Sequence, residues 1–330
     1  MAKEIVRVEV HPVARTEPSE VPAIVLAAGG NARFAYDEFF SGIDSPHTER
    51  AYRHAVHRFL AWCQERYLAL PQVKPADVAE YIKKLSNEDN GKAASKPTRK
   101  LHLSAIRHFF DKLVVRHAVM LNPALSVRGP SHKVVEGKTK ALSTEDARSL
   151  LASIDVTNVV GLRDRAIIAT LIYTAARVGA VAKLRHQDYY RDERQHCLRL
   201  DEKGGKSREI PVRHDLEGFI GEYIAAAGTA DDSAPLFRSA IRKTKRLANV
   251  GMTANDILRM VKRRFTAVGL AASRLTCHSF RATTITNLLD QGVSLDDVQY
   301  LAGHSDPRTT RLYDRRKKQV TRNVVERISI

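Results

Sequence analysis

Residues 275–316 read LTCHSFRATTITNLLDQGVSLDDVQYLAGHSDPRTTRLYDRR, and the rest of the chain is organised around them. Two groups flank a short helical segment there: His278 with Arg281, and His304 with Tyr313. His278 and Arg281 are one helical turn apart, so both project to the same side. A His, an Arg, a second His and a Tyr suit one task, holding a phosphodiester and attacking it with a phenolate. Cleaving that bond without a metal needs the non-bridging oxygens held, best by arginine forks. It needs a nucleophile in line with the leaving oxygen and a proton for the leaving alkoxide. A phenol, with an ordinary pKa of about 10, is a poor nucleophile until it is placed beside cationic donors. No carboxylate stands among these residues at metal-ligand spacing, which speaks against a metal nuclease.

Working outward, Arg177 in AARVGAVAKL opens a helix after a strongly apolar one, residues 161–174 (GLRDRAIIATLIYT), and can complete a clamp with Arg281. Residues 196–212, HCLRLDEKGGKSREIPV, read as two short strands around a Gly204-Gly205 turn. Lys203 at the hairpin tip is the candidate proton donor to the leaving oxygen. Ser143-Thr144-Glu145-Asp146 opens this half with a capping signature. Helices are expected over residues 215–227 and 254–268, with a basic cluster, Arg242, Lys243, Lys245 and Arg246, in the loop between them.

The first part of the chain reads differently. Residues 1–31 form a mixed-charge lead-in expected to be loosely ordered or to pack only against a partner. From residue 32 to 128 the pattern is helical. Ser45-Pro46 is an N-cap followed by proline at the first helical position. Ala51, Ala55, Phe59 and Trp62 then share one side at helical spacing, while Arg50, Arg53, His54, His57 and Arg58 lie on another. Further helices are expected from Pro75 and Pro97, the latter carrying Arg99, Lys100, Arg107 and His108, with a short fourth before Asn122-Pro123. Four short helices with basic faces make a bundle suited to clamping a duplex. His54 and His57 lack the partner ligands of a metal site. Residues 129–140 are polar, basic and broken by Gly and Pro, and read as a linker to a second domain over 141–318, with a tail from 319 to 330.

The formal charge is +17, from 54 Lys and Arg against 37 Asp and Glu, which predicts attraction to a polyanion. Length suggests about two domains, and 43% hydrophobic with 28% charged residues is ordinary for a globular chain. Cys63, Cys197 and Cys277 have no CxxC spacing and fit a reducing compartment. No uncharged apolar run reaches the roughly 18 residues that span a bilayer. The first residues lack the apolar core of a signal peptide, so a cytoplasmic location with no membrane partner is expected.

The order Arg177, Lys203 on a hairpin, His278-x-x-Arg281, Leu301-Ala302-Gly303-His304 and Tyr313 resembles the tyrosine recombinase (phage integrase) family. HSFRATTITNLLDQG and LAGHSDPRTTRLYDR are close to its two C-terminal boxes, and TAARVGA is similar to its first arginine box. EKGGKSREIPV looks like its lysine loop, with Lys203 at the matching position and Lys206 as the lesser candidate. SPHTERAYRHAVHRFLAWC is similar to its core-binding domain, so the likeness covers roughly residues 32–318. The resemblance implies a mainly α fold: a helical, SAM-like core-binding bundle followed by an α+β catalytic domain with a small hairpin or sheet. It also implies that Arg177, His278, Arg281 and His304 contact the scissile phosphate, that Lys203 is the general acid, and that Tyr313 links covalently to a DNA 3′ phosphate. No cofactor is then needed, because the phosphotyrosine keeps the energy of the broken bond. The implied partner is double-stranded DNA with specific recombination sites, joined by a homotetramer through a Holliday junction, with the tail docking on a neighbouring protomer.

One position departs from the family pattern. An acidic residue usually follows the first arginine by three, where this chain has Ala180; Asp188 downstream is a candidate substitute. Three other readings stay open at this level: a DNA-binding architectural protein with a decayed site, a relaxing topoisomerase, and a metal-dependent nuclease. Within the leading class, integration and excision, cointegrate resolution and chromosome dimer resolution share one chemistry, and the wording RATTITNLLDQG leans toward a mobile element.

Overall fold

The computed structural model describes residues 21–86, 93–131, 139–202, 205, 207–228 and 231–314. They belong to two compact units, Met1–Lys133 and Val134–Ile330.

The first unit is all helix. After α1 (Ala23–Ala27) and α2 (Gly30–Ser41) come α3 (Pro46–Glu65), α4 (Pro75–Lys84) and α5 (Lys96–Val115). Ser45 Oγ accepts the Thr48 N–H, and Ser95 Oγ the Thr98 N–H, so the two long helices start where serine precedes proline by one or two residues. Phe39, Phe59, Phe109 and Phe110 meet in the core at edge and tilted angles. The loosely ordered lead-in does not hold for residues 21–31: Ile24 and Val25 of α1 are buried in this core. The expected short helix before Asn122-Pro123 is absent as well. The chain turns at His117, with φ +55, and Asn122 uses its side chain on the Arg107 carbonyl, Asp111 and the Ala124 N–H. A side chain so committed to neighbouring loop and helix groups holds an irregular turn.

The second unit is α+β. In order it has α6 (Thr144–Ala152), α7 (Val159–Tyr173), α8 (Val178–Lys183), the strands β1 (Tyr189–Asp192), β2 (Gln195–Asp201) and β3 (Ser207–Pro211), then α9 (His214–Ala227). There follow β4 (Arg238–Ala240), β5 (Leu247–Gly251), α10 (Ala254–Ala267), α11 (Cys277–Asp290), α12 (Leu295–Ala302) and α13 (Pro307–Arg311). The hairpin expected over residues 196–212 is the β2–β3 pair of a three-stranded antiparallel sheet, with Leu198 opposite both Tyr189 and Ile210. The basic cluster at 242–246 is not in a plain loop. It forms the turn of a second hairpin, β4–β5, whose short strands carry no apolar alternation to announce them.

The apolar α7 is the axis of this unit, packed by α9, α10 and α11. A buried ion network fixes its start: Asp164 takes Arg163 at 2.7 Å and Arg264 of α10 at 2.7 Å, while Arg163 also donates to the Arg238 carbonyl at 2.8 Å. Helix α11 divides two cores. Its Phe280 joins the main one; Ala282, Ile285 and Leu289 join a smaller one with Val298 and Ala302 of α12 and the ring of Tyr313. Packing of that second core therefore decides where the phenol sits.

Candidate active site

Four chain segments meet at one place. Arg177 is the residue before α8, reached through Ala175, a non-glycine residue held at φ +48. Thr174 stabilises the corner: its Oγ1 accepts the Ala176 N–H at 3.2 Å and donates to the Thr170 carbonyl at 2.7 Å. The Ala175 carbonyl accepts Arg281 Nη1 at 2.5 Å, so the strained corner and α11 are tied together. Arg281 is 1% exposed, and its Nε and Nη2 are buried with no hydrogen-bond partner among the described residues.

His278, in the first turn of α11, leaves part of its surface open, but its Nε2 end is part-buried, 2.9 Å from the Tyr313 hydroxyl. His304 follows Gly303, which ends α12 at φ +61, a left-handed conformation that favours glycine. The His304 imidazole is 8% exposed and stacks parallel to the Tyr313 ring, centroids 5.9 Å apart, with Nδ1 2.9 Å from Thr310 Oγ1. Tyr313 sits just past α13, its N–H on the Thr310 carbonyl and its own carbonyl accepting Thr286 Oγ1. A phenol, two imidazoles and two guanidiniums from distant parts of the sequence are thus neighbours within one chain.

Burial sets their charge states. It pushes His304 down to about 3, helped by Arg281, Arg177 and other nearby cations. The same cause, with the same two arginines, holds His278 below its usual range. Both imidazoles are neutral at pH 7. Burial raises the Tyr313 phenol above its ordinary value against the pull of Arg281 and Arg177, so it keeps its proton in the free protein. Arg281 is pushed down by burial to about 10, and the neighbouring Arg177 adds to that. It stays charged at neutral pH while its Nε and Nη2 lack acceptors among the described residues, which is an anion-seeking arrangement.

Two residues that sequence reasoning passed over belong here. Glu202, whose side chain is 6% exposed, ion-pairs with Arg177 through Oε2 and with Arg208 through Oε1, at 3.0 Å from Nη2. Arg208, itself buried, also donates to the Leu301 carbonyl and lies behind Gly303, where a Cβ would meet its Nε at 2.9 Å. Asp188 does not supply the missing acid: its carboxylate accepts the Arg185 N–H at 2.8 Å in a short turn. Lys203, the expected proton donor, and Lys206 lie outside the described residues, as does the tail from residue 315. Among the described residues, no group of three or more His, Cys, Asp or Glu is placed to hold a metal.

The candidate DNA contacts separate by surroundings. Arg50, His54 and Lys100 are exposed, with Arg58 and Arg99 half-buried. Arg53 instead pairs with Glu49 at 2.6 Å, donates to Tyr36 and covers the Phe40 ring, and His57 is 2.6 Å from the Tyr36 hydroxyl. Arg107 donates to the Ala124 and Val127 carbonyls. Those three serve the bundle's own packing. In the second unit, Arg242, Lys243, Lys245 and Arg246 are all exposed on the β4–β5 turn. No helix among the described residues is long and apolar enough to cross a membrane.

Comparison with known proteins gives the family and the fold. Residues 140–320 match the phage integrase family model, and residues 38–117 match the phage integrase N-terminal SAM-like domain. A tyrosine recombinase XerD from Lacticaseibacillus casei is 27% identical over 269 residues, covering 81% of this chain and 86% of the relative. A tyrosine recombinase XerD from Vibrio cholerae is 29% identical over 281 residues, covering 81% of this chain and 84% of the relative. Among solved structures, XerH site-specific recombinase bound to its difH substrate superposes with a TM-score of 0.64 at 20% identity, covering 86% of this chain and 79% of that one. A lambda integrase tetramer bound to a Holliday junction gives 0.64 at 15% identity, covering 92% and 84%. At those identities the structural likeness speaks for the fold.

Proposed function

The chain belongs to the phage integrase family, whose named relatives are tyrosine recombinases, and on that premise we propose that it breaks and rejoins DNA strands at specific sites through a covalent 3′-phosphotyrosine formed by Tyr313. The Tyr313 oxygen attacks the scissile phosphorus, and its proton passes to the neutral His278 Nε2 that already lies against it. Arg177, Arg281 and His304 hold the non-bridging oxygens. The reading assigns Thr310 as donor to His304 Nδ1, 2.9 Å away, which leaves the imidazole proton on Nε2 for a non-bridging oxygen. The bond to the 5′ oxygen breaks, and Lys203 protonates that oxygen as it leaves. The released 5′ hydroxyl of a partner strand then attacks the phosphotyrosine, displaces the phenol and restores a diester. Two such rounds on a homotetramer, through a Holliday junction, exchange two duplexes. The setting we assign is integration, excision or resolution of a mobile element, supported by the wording of residues 281–292.

One observation carries this reading: a fully buried guanidinium with two unmatched donors stands near a phenol whose hydroxyl already lies against a base. The test is trapping. The protein is incubated with a duplex library, denatured in detergent, and the DNA that remains attached is sequenced. A denaturant-stable adduct, absent from Tyr313→Phe while that variant still retards DNA, is the expected result. DNA binding without any adduct from the intact protein would return the site to a decayed binding module. The recovered sequences also discriminate a mobile-element end from a chromosomal resolution site.

A further inference from the structure

Glu202 is a carboxylate buried among guanidiniums, and nothing in the chemistry above employs it. We propose that Glu202 is the positioning residue of this site: braced by Arg208, it fixes the Arg177 guanidinium in the geometry that receives the phosphate. The proposal rests on the reading of the site as a phosphodiester-cleaving centre and names a part of it that the family pattern does not supply.

Both carboxylate oxygens are committed. Oε2 takes Arg177, and Oε1 takes Arg208 through Nη2 at 3.0 Å and Nε at 3.3 Å. With the Glu202 and Arg208 side chains 6% and 7% exposed, this is a buried pair, and such a pair persists only when its geometry is well matched. Arg208 extends the brace to the Leu301 carbonyl and, at 3.5 Å, to the Thr174 carbonyl. Glu202 therefore links three segments that each carry a site residue: the corner before Arg177, the hairpin that continues into Lys203, and the α12 end that carries His304. Arg177 keeps 41% of its side-chain surface open after this pairing, in a cleft lined also by Gln299 and His304. Glu202 clamps Nη1, both Nη atoms reach the Gly303 carbonyl only at 3.5 Å, and the guanidinium stays partly open.

Charge supports the same assignment. Arg177, Arg208 and Arg281 repel one another, and Glu202 stands among them as a counter-charge that favours the ionised state of both Arg208 and Arg281. At position 180, where the family usually carries an acid, this chain has a buried alanine. The carboxylate reaches the arginine from the end of β2 instead of from α8.

The test is single-turnover cleavage on a nicked duplex built from the sequence that the unaltered protein captures covalently. Without an adduct from the unaltered protein, the cleavage reading itself fails and this inference with it. With one, Glu202→Gln is compared at saturating DNA, alongside its DNA affinity and melting temperature. The proposal expects cleavage at least tenfold slower, affinity within twofold, and Glu202→Asp recovering part of the rate. A Glu202→Gln rate equal to the unaltered protein's overturns it. So does a loss confined to affinity, or a faster reaction, which would mark the carboxylate as a competitor of the phosphate. Should Glu202→Gln not fold, Glu202→Asp takes the same comparison: about threefold slower at saturation supports positioning, and an unchanged rate refutes it.

Discussion

Replacing Arg281 with methionine should abolish cleavage and at the same time make the DNA-free protein more stable. The magnitude follows from the surroundings of the guanidinium. Burial holds its pKa near 10 instead of 12.5, and each tenfold change is about 1.4 kcal/mol, so keeping the charge at neutral pH costs about 3 kcal/mol. The sign is settled by the order of the two values. Below about 10 the side chain is protonated both folded and unfolded, so the whole penalty is present at pH 7 and is relieved only as the pH rises through both values. Two buried donors without partners are the visible source of that penalty. Against it stands the loss of the bond to the Ala175 carbonyl, about 1.5–3 kcal/mol for a charged donor. An unbranched apolar chain of similar length fills the space, and the net gain is about 0–1.5 kcal/mol, or up to roughly 6 °C in melting temperature for a unit of this size. The opposite sign holds for the reaction. Two charge-assisted bonds to phosphate at about 1.5–3 kcal/mol each put the loss at roughly 10²–10⁴ in cleavage rate. Melting curves with and without sulfate, together with adduct formation on a trapped site, read both effects. Sulfate should raise the melting temperature of the unaltered protein and move the variant less. An Arg281→Met protein that melts lower, responds equally to sulfate and still cleaves would refute the assignment of Arg281 as the phosphate's buried partner.

Three further outcomes are expected. Acid should destabilise the fold: burial first, then nearby Arg58, lowers His102 to about 4 beside Tyr81. Stability is therefore lost as the pH falls from about 6.5 toward 4, by about 3 kcal/mol for this group, and thermal melts that rise or stay flat over that range contradict it. Gly303→Ala should lose about 1–2 kcal/mol for the left-handed backbone alone. The new methyl also meets Arg208 Nε at 2.9 Å, so cleavage should fall even where melting still shows a folded protein; equal cleavage would separate Arg208 from the site. In the first unit, Lys100→Ala should lower the slope of log affinity against log salt by about one. Arg107→Ala should leave that slope intact and lose about 1–3 kcal/mol of stability through its two carbonyl bonds, and the reverse pattern in salt titrations and urea melts would refute the placement of both.

Much of the second unit was legible because its signals are local. A capping signature announced α6, and Gly-Gly between two short strands announced the β2–β3 hairpin. The residues that the fold brings together could be singled out for another reason: holding and attacking a phosphodiester calls for those side-chain types, and their order resembles that of the family. What escaped depends on distance in the sequence. Glu202 beside a turn reads as a solvated strand end, and only its encounter with an arginine 25 residues earlier reveals a buried brace. Arg53 and Arg107 look like Arg50 and Lys100 on a helical wheel; aromatic rings and stray carbonyls from other segments decide which of them face inward. The β4–β5 hairpin has too few residues for a periodic signal, and α1 is five residues whose burial comes from the neighbouring helix α2.

The arrangement is electrostatically unfinished in a way that suits the reaction. Among the described residues, two neutral imidazoles, a protonated phenol and three guanidiniums around the Glu202 carboxylate leave an excess of positive charge. A phosphodiester brings one negative charge to it. On the mechanism we propose, Tyr313 attacks and gives its proton to His278, so the phosphorane gains negative charge on the same oxygens while a positive imidazolium forms beside the entering oxygen. Every fixed cation in the cluster therefore interacts more strongly with the transition state than with bound DNA, which is the condition for binding energy to appear as rate. Glu202 makes this workable: it lowers the repulsion that would otherwise drive Arg177 and Arg208 apart, yet it spends its own oxygens on one edge of each. A second carboxylate aimed at Arg281 would make the free protein more stable and the site less reactive, because that guanidinium would no longer need the phosphate.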